Sequence, residues 1–237
     1  MIHWLLQTQS AHPDLVQGVA PSGLLSEEET TVLNNFRILK RRQDWLLGRW
    51  TAKHLLQEMI RQKQGEIVAL DAIAILAGED GAPLAQINSE AAIRDAQFTV
   101  SISHSQGSSF CAAVERPNWP LGADIERIEP RPRNFTGDFF TKEEEEFIQQ
   151  SKPEFSDALV TTIWSAKEAA LKAIRQGLRL DTRRVSCQIA ALSRLPENWI
   201  ALRFFWERQA DQSQLPALSG WWKVDGPFVL TLAVQDE

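Results

Sequence analysis

The feature that most limits how this chain of 237 residues can fold is an internal repeat. Trp50-Thr51-Ala52-Lys53 is echoed by Trp164-Ser165-Ala166-Lys167, 114 residues on. The stretch 101–114 (SISHSQGSSFCAAV) is echoed by 221–234 (WWKVDGPFVLTLAV), 120 residues on, in its polar centre and closing Ala-Val. The two offsets nearly agree and each is about half the chain, which is the mark of a duplicated structural unit. Two similar halves are expected, 1–118 and 119–237, divided near the Pro117–Pro120 stretch (PNWP). Halves of this kind pack about a pseudo-two-fold axis, and the cleft between them is the natural place for a site.

Each half reads as α+β, a small antiparallel sheet packed on a long helix. In the first, MIHWLLQ is strand-like, and Ser26 with Glu29 forms a capping-box pattern ahead of helical stretches near 27–39 and 42–63. AIAILAG (72–78), FTVSISHS and SSFCAAVE follow as strands, with the turn-forming G-E-D-G-A-P after the first of them, and LGADIER (121–127), past the division, reads as a further strand. In the second half Thr141 opens another capping box, T-K-E-E, and a long helix spans about 157–175. RVSCQIAAL, WIALRFFWE, SGWWKV and FVLTLAVQ then read as strands.

Composition narrows the function class. With 25 basic against 31 acidic residues the net charge is −6, which argues against a nucleic-acid binder, whose footprint is normally a basic excess. No window approaches the ~18 apolar residues of a membrane span, and the N-terminus lacks the basic lead and small-residue cleavage site of a secretory signal. The expectation is a cytoplasmic protein with no membrane contact, monomeric because a duplicated chain has less need to dimerise. Cys111 and Cys187 are the only cysteines, too few for a disulfide scaffold or a cysteine-rich zinc site, and both read as buried structural thiols.

Three segments have the residue types of a phosphate-handling site. In Gly122-Ala123-Asp124-Ile125-Glu126, strand alternation aims the carboxylates of Asp124 and Glu126 the same way. Such a pair suits a hard cation such as Mg²⁺, or is simply a solvated strand face. In Trp164-Ser165-Ala166-Lys167-Glu168-Ala169-Ala170-Leu171-Lys172, Glu168 and Lys172 are helix neighbours. They read either as an exposed ion pair or as a third carboxylate with a point charge for a phosphate. Ser103 and His104, in Ser101-Ile102-Ser103-His104-Ser105, lie where a strand meets a turn and can donate to a phosphate, or belong to an ordinary turn. Arg49, on an amphipathic helix, is by itself a solvated arginine as readily as a ligand contact.

Taken in order, GRWTAK (48–53), ISHS (102–105), GADIE (122–126) and WSAKEAALK (164–172) resemble the 4′-phosphopantetheinyl transferase family in its longer, surfactin-synthetase-activating (Sfp-type) form. The resemblance implies a 4′-phosphopantetheinyl transferase fold, a pseudo-dimer of two α+β halves with coenzyme A in the cleft. It implies Mg²⁺ on Asp124, Glu126 and Glu168, and Lys172 on the coenzyme A phosphates. Asp124 is also counted among the cofactor-binding groups, Ser103 and His104 contact the phosphates, and Arg49 reaches the nucleotide end. The implied reaction moves phosphopantetheine to a serine of an acyl or peptidyl carrier protein and releases adenosine 3′,5′-bisphosphate. Glu168 is the candidate base. Where the family often has G-K-P or G-R-P ahead of ISHS, this chain has Gly81-Ala82-Pro83, without the basic residue. Basic groups that could steer an acidic carrier are Lys40-Arg41-Arg42, and Arg179 with Arg183-Arg184. The rival readings are a metal-dependent phosphodiesterase or nuclease, and a catalytically dead coenzyme A-binding protein of the same fold.

Overall fold

The structure, a computed structural model, describes residues 1–88, 97–207 and 215–236. The chain forms two compact units, Met1–Trp119 and Pro120–Glu237. In the first unit the order is β1 (His3–Thr8), α1 (Pro13–Val16), α2 (Glu27–Asn34), α3 (Leu39–Gln64), β2 (Ile73–Ala77), β3 (Pro83–Ile87), β4 (Thr99–Ser105) and β5 (Ser108–Val114). The second unit runs β6 (Leu121–Arg127), α4 (Phe135–Phe139), α5 (Lys142–Gln150), α6 (Ser156–Ala173), β7 (Val185–Gln188), β8 (Ile200–Trp206), β9 (Leu218–Asp225) and β10 (Phe228–Gln235).

Each unit holds one five-stranded antiparallel sheet, ordered β1-β5-β4-β3-β2 in the first and β6-β10-β9-β8-β7 in the second. These are the same topology: the first strand pairs with the last, and the others follow in reverse. The register agrees as well. The hairpin pair Ser105↔Ser108 has its counterpart in Asp225↔Phe228, at the 120-residue offset read from the sequence. On the outer strands Leu5 lies opposite Cys111, and Asp124 opposite Thr231.

The long helices α3 and α6 carry the apolar faces that pack on these sheets. Ala52, Leu55, Leu56 and Ile60 of α3 join Ile73, Ile75, Val100 and Cys111, while Ile163, Ala166, Ala169, Ala170 and Leu171 of α6 join Leu202, Trp222 and Val229. Both cysteines are free and buried, and burial pushes each thiol pKa up. In the second unit the fit is closest at Gly122, where a Cβ would lie 1.8 Å from the Ala169 carbonyl oxygen. Only glycine lets β6 run this near α6.

One buried ion pair recurs in both units. Both capping boxes form, and the glutamate of each turns inward. Glu29 Oε2 accepts from the Ser26 backbone N–H at 3.0 Å and from Lys53 Nζ, and its Oε1 accepts from the Ile75 N–H at 3.0 Å. Glu144 Oε2 accepts from the Thr141 N–H at 2.8 Å and is paired with Lys167 Nζ at 2.8 Å, and its Oε1 accepts from the Cys187 N–H at 2.7 Å. Each ammonium completes its three bonds on carbonyls, Lys53 on Leu24 and Leu70, Lys167 on Thr182 and Val185. Burial pushes both lysine pKa values down, against the opposing pull of the partner glutamate. The lysine shared by WTAK and WSAK is thus a structural clamp from long helix to capping helix to strand.

Several boundaries depart from expectation. The first helix stops at Asn34, and the second begins at Leu39 rather than 42. Arg42 ties this junction, donating to the carbonyls of Gly18, Leu33 and Phe36, and so is a structural group rather than a steering charge. Lys40 is paired with Asp44, Arg183 with Asp181, and Arg179 donates to the carbonyls of Arg175 and Gln176. Strand β3 was not expected from PLAQI, a five-residue run opening on proline.

A buried pair that loses one partner leaves an uncompensated charge, at a cost of about 3–5 kcal/mol. Lys53→Met or Lys167→Met is expected to lower the unfolding free energy by about that amount in urea. Adding Glu144→Gln to Lys167→Met is expected to restore part of it, since the stranded charge is gone while the amide oxygen can accept from only one of the Thr141 and Cys187 N–H groups. A double variant no more stable than the single would show that lost packing, not stranded charge, sets the cost.

Candidate active site in the C-terminal unit

Four of the residues singled out by sequence lie on β6 and α6. Asp124 is 1% exposed, and its two oxygens are both occupied. Lys172 Nζ donates to Oδ1 at 2.5 Å, and the Ser165 hydroxyl donates to Oδ2 at 2.7 Å. The Lys172 ammonium also reaches the Ala123 carbonyl at 3.3 Å and Glu168 Oε2 at 3.8 Å. Asp124 and Glu168 therefore share one cation. Glu126, two residues along the strand, is paired with Arg131 at 2.9 Å, and Trp164 of α6 helps Arg131 oppose the rise of its carboxyl pKa. The Arg131 guanidinium lies 5.3 Å from the centre of the Phe135 ring, which packs edge-on against Trp164.

Three carboxylates thus face two cations, and the imbalance shows in their proton affinities. Burial, then the charges of Asp124 and Glu126, push the Glu168 carboxyl up to about 7 against the pull of Lys172 and Arg131. Burial and the Asp124 charge also raise Glu126, with Arg131 opposing. Burial alone would lower Lys172, but Asp124 and Glu168 outweigh it and its pKa is raised.

The donor chemistry, hard carboxylate oxygens with one negative charge in excess, fits a divalent cation. Yet among the described residues no group of three or more His, Cys, Asp or Glu side chains is placed to hold a metal ion. Here Lys172 engages Asp124 and Glu168, and Arg131 engages Glu126. Mg²⁺ characteristically takes one or two carboxylates plus waters and substrate phosphates rather than a complete protein cage, so the arrangement remains compatible with it.

The residues expected from the N-terminal unit are placed differently. Arg49 is largely interior, donating to the Ile75 carbonyl at 3.1 Å with its guanidinium 4.2 Å from the Trp45 ring centre. Burial lowers its pKa to about 10. Ser103 and His104 are consecutive on β4, so their side chains leave opposite faces of the sheet. His104 is half exposed with Nδ1 4.0 Å from Asp44 of α3, whereas Ser103 is buried. Gly81-Ala82-Pro83 closes the β2–β3 hairpin, Gly78 donating to the Ala82 carbonyl and Gly81, at φ +84°, to the Gly78 carbonyl.

Reading the sequence missed Arg131, Ser165 and Thr231. Thr231 lies opposite Asp124 on β10, and its hydroxyl is 2.8 Å from Ser165 Oγ. Ser165 was visible inside WSAK but drew no attention, and nothing in E-P-R-P-R-N marks which arginine turns back on Glu126.

The raised Glu168 pKa has a definite sign for stability. The folded state binds this proton more tightly than the unfolded state. That contribution is therefore fully present below about pH 4.5 and lost as pH rises through about 7. Without divalent cations, Glu168→Gln is expected to be more stable than the parent at pH 8, by up to about 3 kcal/mol, and close to it below pH 5. Urea unfolding at the two pH values checks this; a less stable variant at pH 8 would contradict it.

Residues 120–232, the segment holding this cluster, match the family model of the 4′-phosphopantetheinyl transferase superfamily. A similar protein is the 4′-phosphopantetheinyl transferase psf-1 of Bacillus pumilus, 29% identical over 179 residues, which are 73% of this chain and 70% of that protein. Among solved structures, a holo-(acyl-carrier-protein) synthase of Bacillus anthracis in complex with coenzyme A is 18% identical over 47% of this chain and 91% of its own, at a TM-score of 0.37. The holo-[acyl-carrier-protein] synthase of Thermotoga maritima is 14% identical over 55% of this chain and 77% of its own, at a TM-score of 0.39. The match falls on the C-terminal unit, with GADIE on a strand and WSAKEAALK on the helix that covers it, and that unit is similar to the 4′-phosphopantetheinyl transferase superfamily.

Proposed function

We propose that this protein transfers the 4′-phosphopantetheine arm of coenzyme A to a serine hydroxyl of an acyl or peptidyl carrier protein, releasing adenosine 3′,5′-bisphosphate, with Mg²⁺ as cofactor. The observation that supports it best is Lys172, an ammonium shared by Asp124 and Glu168 on the superfamily's two hallmark segments. On this reading the enzyme works as a monomer in the cytoplasm. No helix among the described residues is long and apolar enough to cross a membrane.

The chemistry is phosphoryl transfer, where positioning and charge neutralisation do most of the catalysis. Bound Mg²⁺ would supply charge neutralisation on the diphosphate, with Asp124, Glu126 and Glu168 as the residues that would hold it. Lys172 offers its ammonium to a phosphate oxygen in exchange for the Asp124 carboxylate. Glu168 is the candidate to accept the serine proton, directly or through a water. The serine oxygen bonds to the phosphorus that bears pantetheine, the diphosphate P–O bond breaks, and the electron pair leaves on the bisphosphate. Arg131 holds Glu126 and keeps its charge balanced.

An apo carrier protein incubated with the enzyme, coenzyme A and Mg²⁺ is expected to gain about 340 Da, the mass of the arm. Asp124→Ala and Glu168→Gln are each expected to reduce that transfer by on the order of 10²-fold while staying folded. Near-parental transfer by either folded variant would contradict the site. Coenzyme A binding without mass gain on several carriers would favour a binding protein instead.

Lys172 and Arg49 are expected to separate. Lys172→Ala lowers the single-turnover rate at saturating coenzyme A more than Arg49→Ala does, because Arg49 is engaged with Ile75 and Trp45 inside its own unit. The reverse order would put Arg49 at the reacting phosphates.

A further inference from the structure

We propose that Ser165 and Thr231 are positioning residues, a two-hydroxyl relay that holds Asp124 in register when Lys172 leaves it. The assignment rests on the reading of Asp124 as a group that meets cation and substrate.

The relay has a single direction. An ionised carboxylate only accepts hydrogen bonds. Ser165 therefore places its one hydroxyl proton on Asp124 Oδ2, at 2.7 Å. Its remaining capacity toward Thr231, 2.8 Å away, is as acceptor, so the Thr231 hydroxyl is the donor there. Asp124, Ser165 and Thr231 are 1%, 0% and 0% exposed, so no bulk water substitutes for either bond. Asp124 and Thr231 are cross-strand partners and Ser165 comes down on them from α6, which ties the carboxylate to three elements at once.

The duplication supplies an internal control. At the positions of Asp124, Ser165 and Thr231, the first unit has Leu5, Thr51 and Cys111. With no carboxylate to hold, the Thr51 hydroxyl turns back on its own helix and donates to the Leu47 carbonyl at 2.8 Å. That is the ordinary resting place of a buried helical hydroxyl. Thr162, one turn before Ser165, does the same with the Ala158 carbonyl at 2.7 Å. The reach of Ser165 across to β6 therefore accompanies the acid at 124, not the helix position itself.

The two oxygens of Asp124 then have separate duties. Oδ1 is held by Lys172, the group a substrate phosphate would attract. Oδ2 is held by Ser165, and that bond is available whether or not Lys172 has moved. Without it, the carboxylate could rotate at the moment its free oxygen is needed.

The test uses the full chain with coenzyme A, Mn²⁺ as the spectroscopic probe for a divalent cation, and an apo carrier protein. Mn²⁺ affinity is read by electron paramagnetic resonance, and transfer by single-turnover kinetics. Ser165→Ala and Thr231→Val are each expected to weaken Mn²⁺ binding about tenfold or more and to lower kcat, leaving KM for coenzyme A nearly unchanged. Ser165→Thr and Thr231→Ser, which keep the hydroxyls, are expected to restore both readouts, and Thr51→Val in the other unit to alter neither. If Ser165→Ala does not fold, the near-isosteric Ser165→Cys, with its weaker donor, takes its place. Parental Mn²⁺ affinity and kcat in the folded Ser165 variant and in Thr231→Val, alongside loss of both in Asp124→Ala, would overturn the relay and leave the site standing. Parental behaviour of Asp124→Ala itself would overturn the site and the relay together.

Discussion

Each unit depends on one interaction, a lysine of the long helix buried against the glutamate of a capping box. Glu29 with Lys53 and Glu144 with Lys167 each close a helix N-terminus, meet the N–H of a strand residue and neutralise a charge in the same few atoms. Buried pairs are poor sources of net stability, because removing two ions from water offsets most of their attraction. Their effect is on geometry. An ammonium that must find three acceptors fixes the rotation of its helix, and the glutamate fixes the helix against the sheet. In the second unit this sets which face of α6 meets β6, and hence where Glu168 and Lys172 stand.

Once both units are held in the same way, their differences become informative. Counting along the long helices, Glu168 and Lys172 correspond to His54 and Glu58 of the first unit, and Asp124 to Leu5. Glu58 is exposed and spends its charge on Arg61. The framework was duplicated, while the acid cluster occupies only one copy. The chemistry of the second unit is a set of substitutions on a scaffold that does not need them: a strand acid, a helix acid, a helix lysine and a strand hydroxyl, Thr231 in place of Cys111.

Much of this was legible along the chain. The repeat offsets gave the shared topology, because a hairpin of the same length in the same order forces the same pairing register. The capping boxes at Ser26 and Thr141 were readable because the signal is local, three residues apart on one turn. GADIE and WSAKEAALK were readable because strand and helix periodicities fix which side chains share a face. Arg131 was not, since its partner is set by how the segment after β6 folds back. The roles of Ser103 and His104 were read as one, yet strand alternation parts them. Arg42 looked like a surface charge and proved to be a bracket for three carbonyls, which no local pattern discloses.

The sequence by itself determined most of the elements, the duplication and the likeness of the C-terminal unit to a known superfamily, because these rest on spacing within one strand or helix, or on motifs that survive intact in linear order. Only the tertiary structure decided that the two lysines of WSAKEAALK do unlike work, Lys167 clamped in the core on Glu144 and Lys172 drawn to Asp124 at the site. Five residues separate them, well over a full turn of helix, so they leave α6 in different directions. What each meets depends on strands far away in the chain, and a charge takes its role from the partner that folding brings to it.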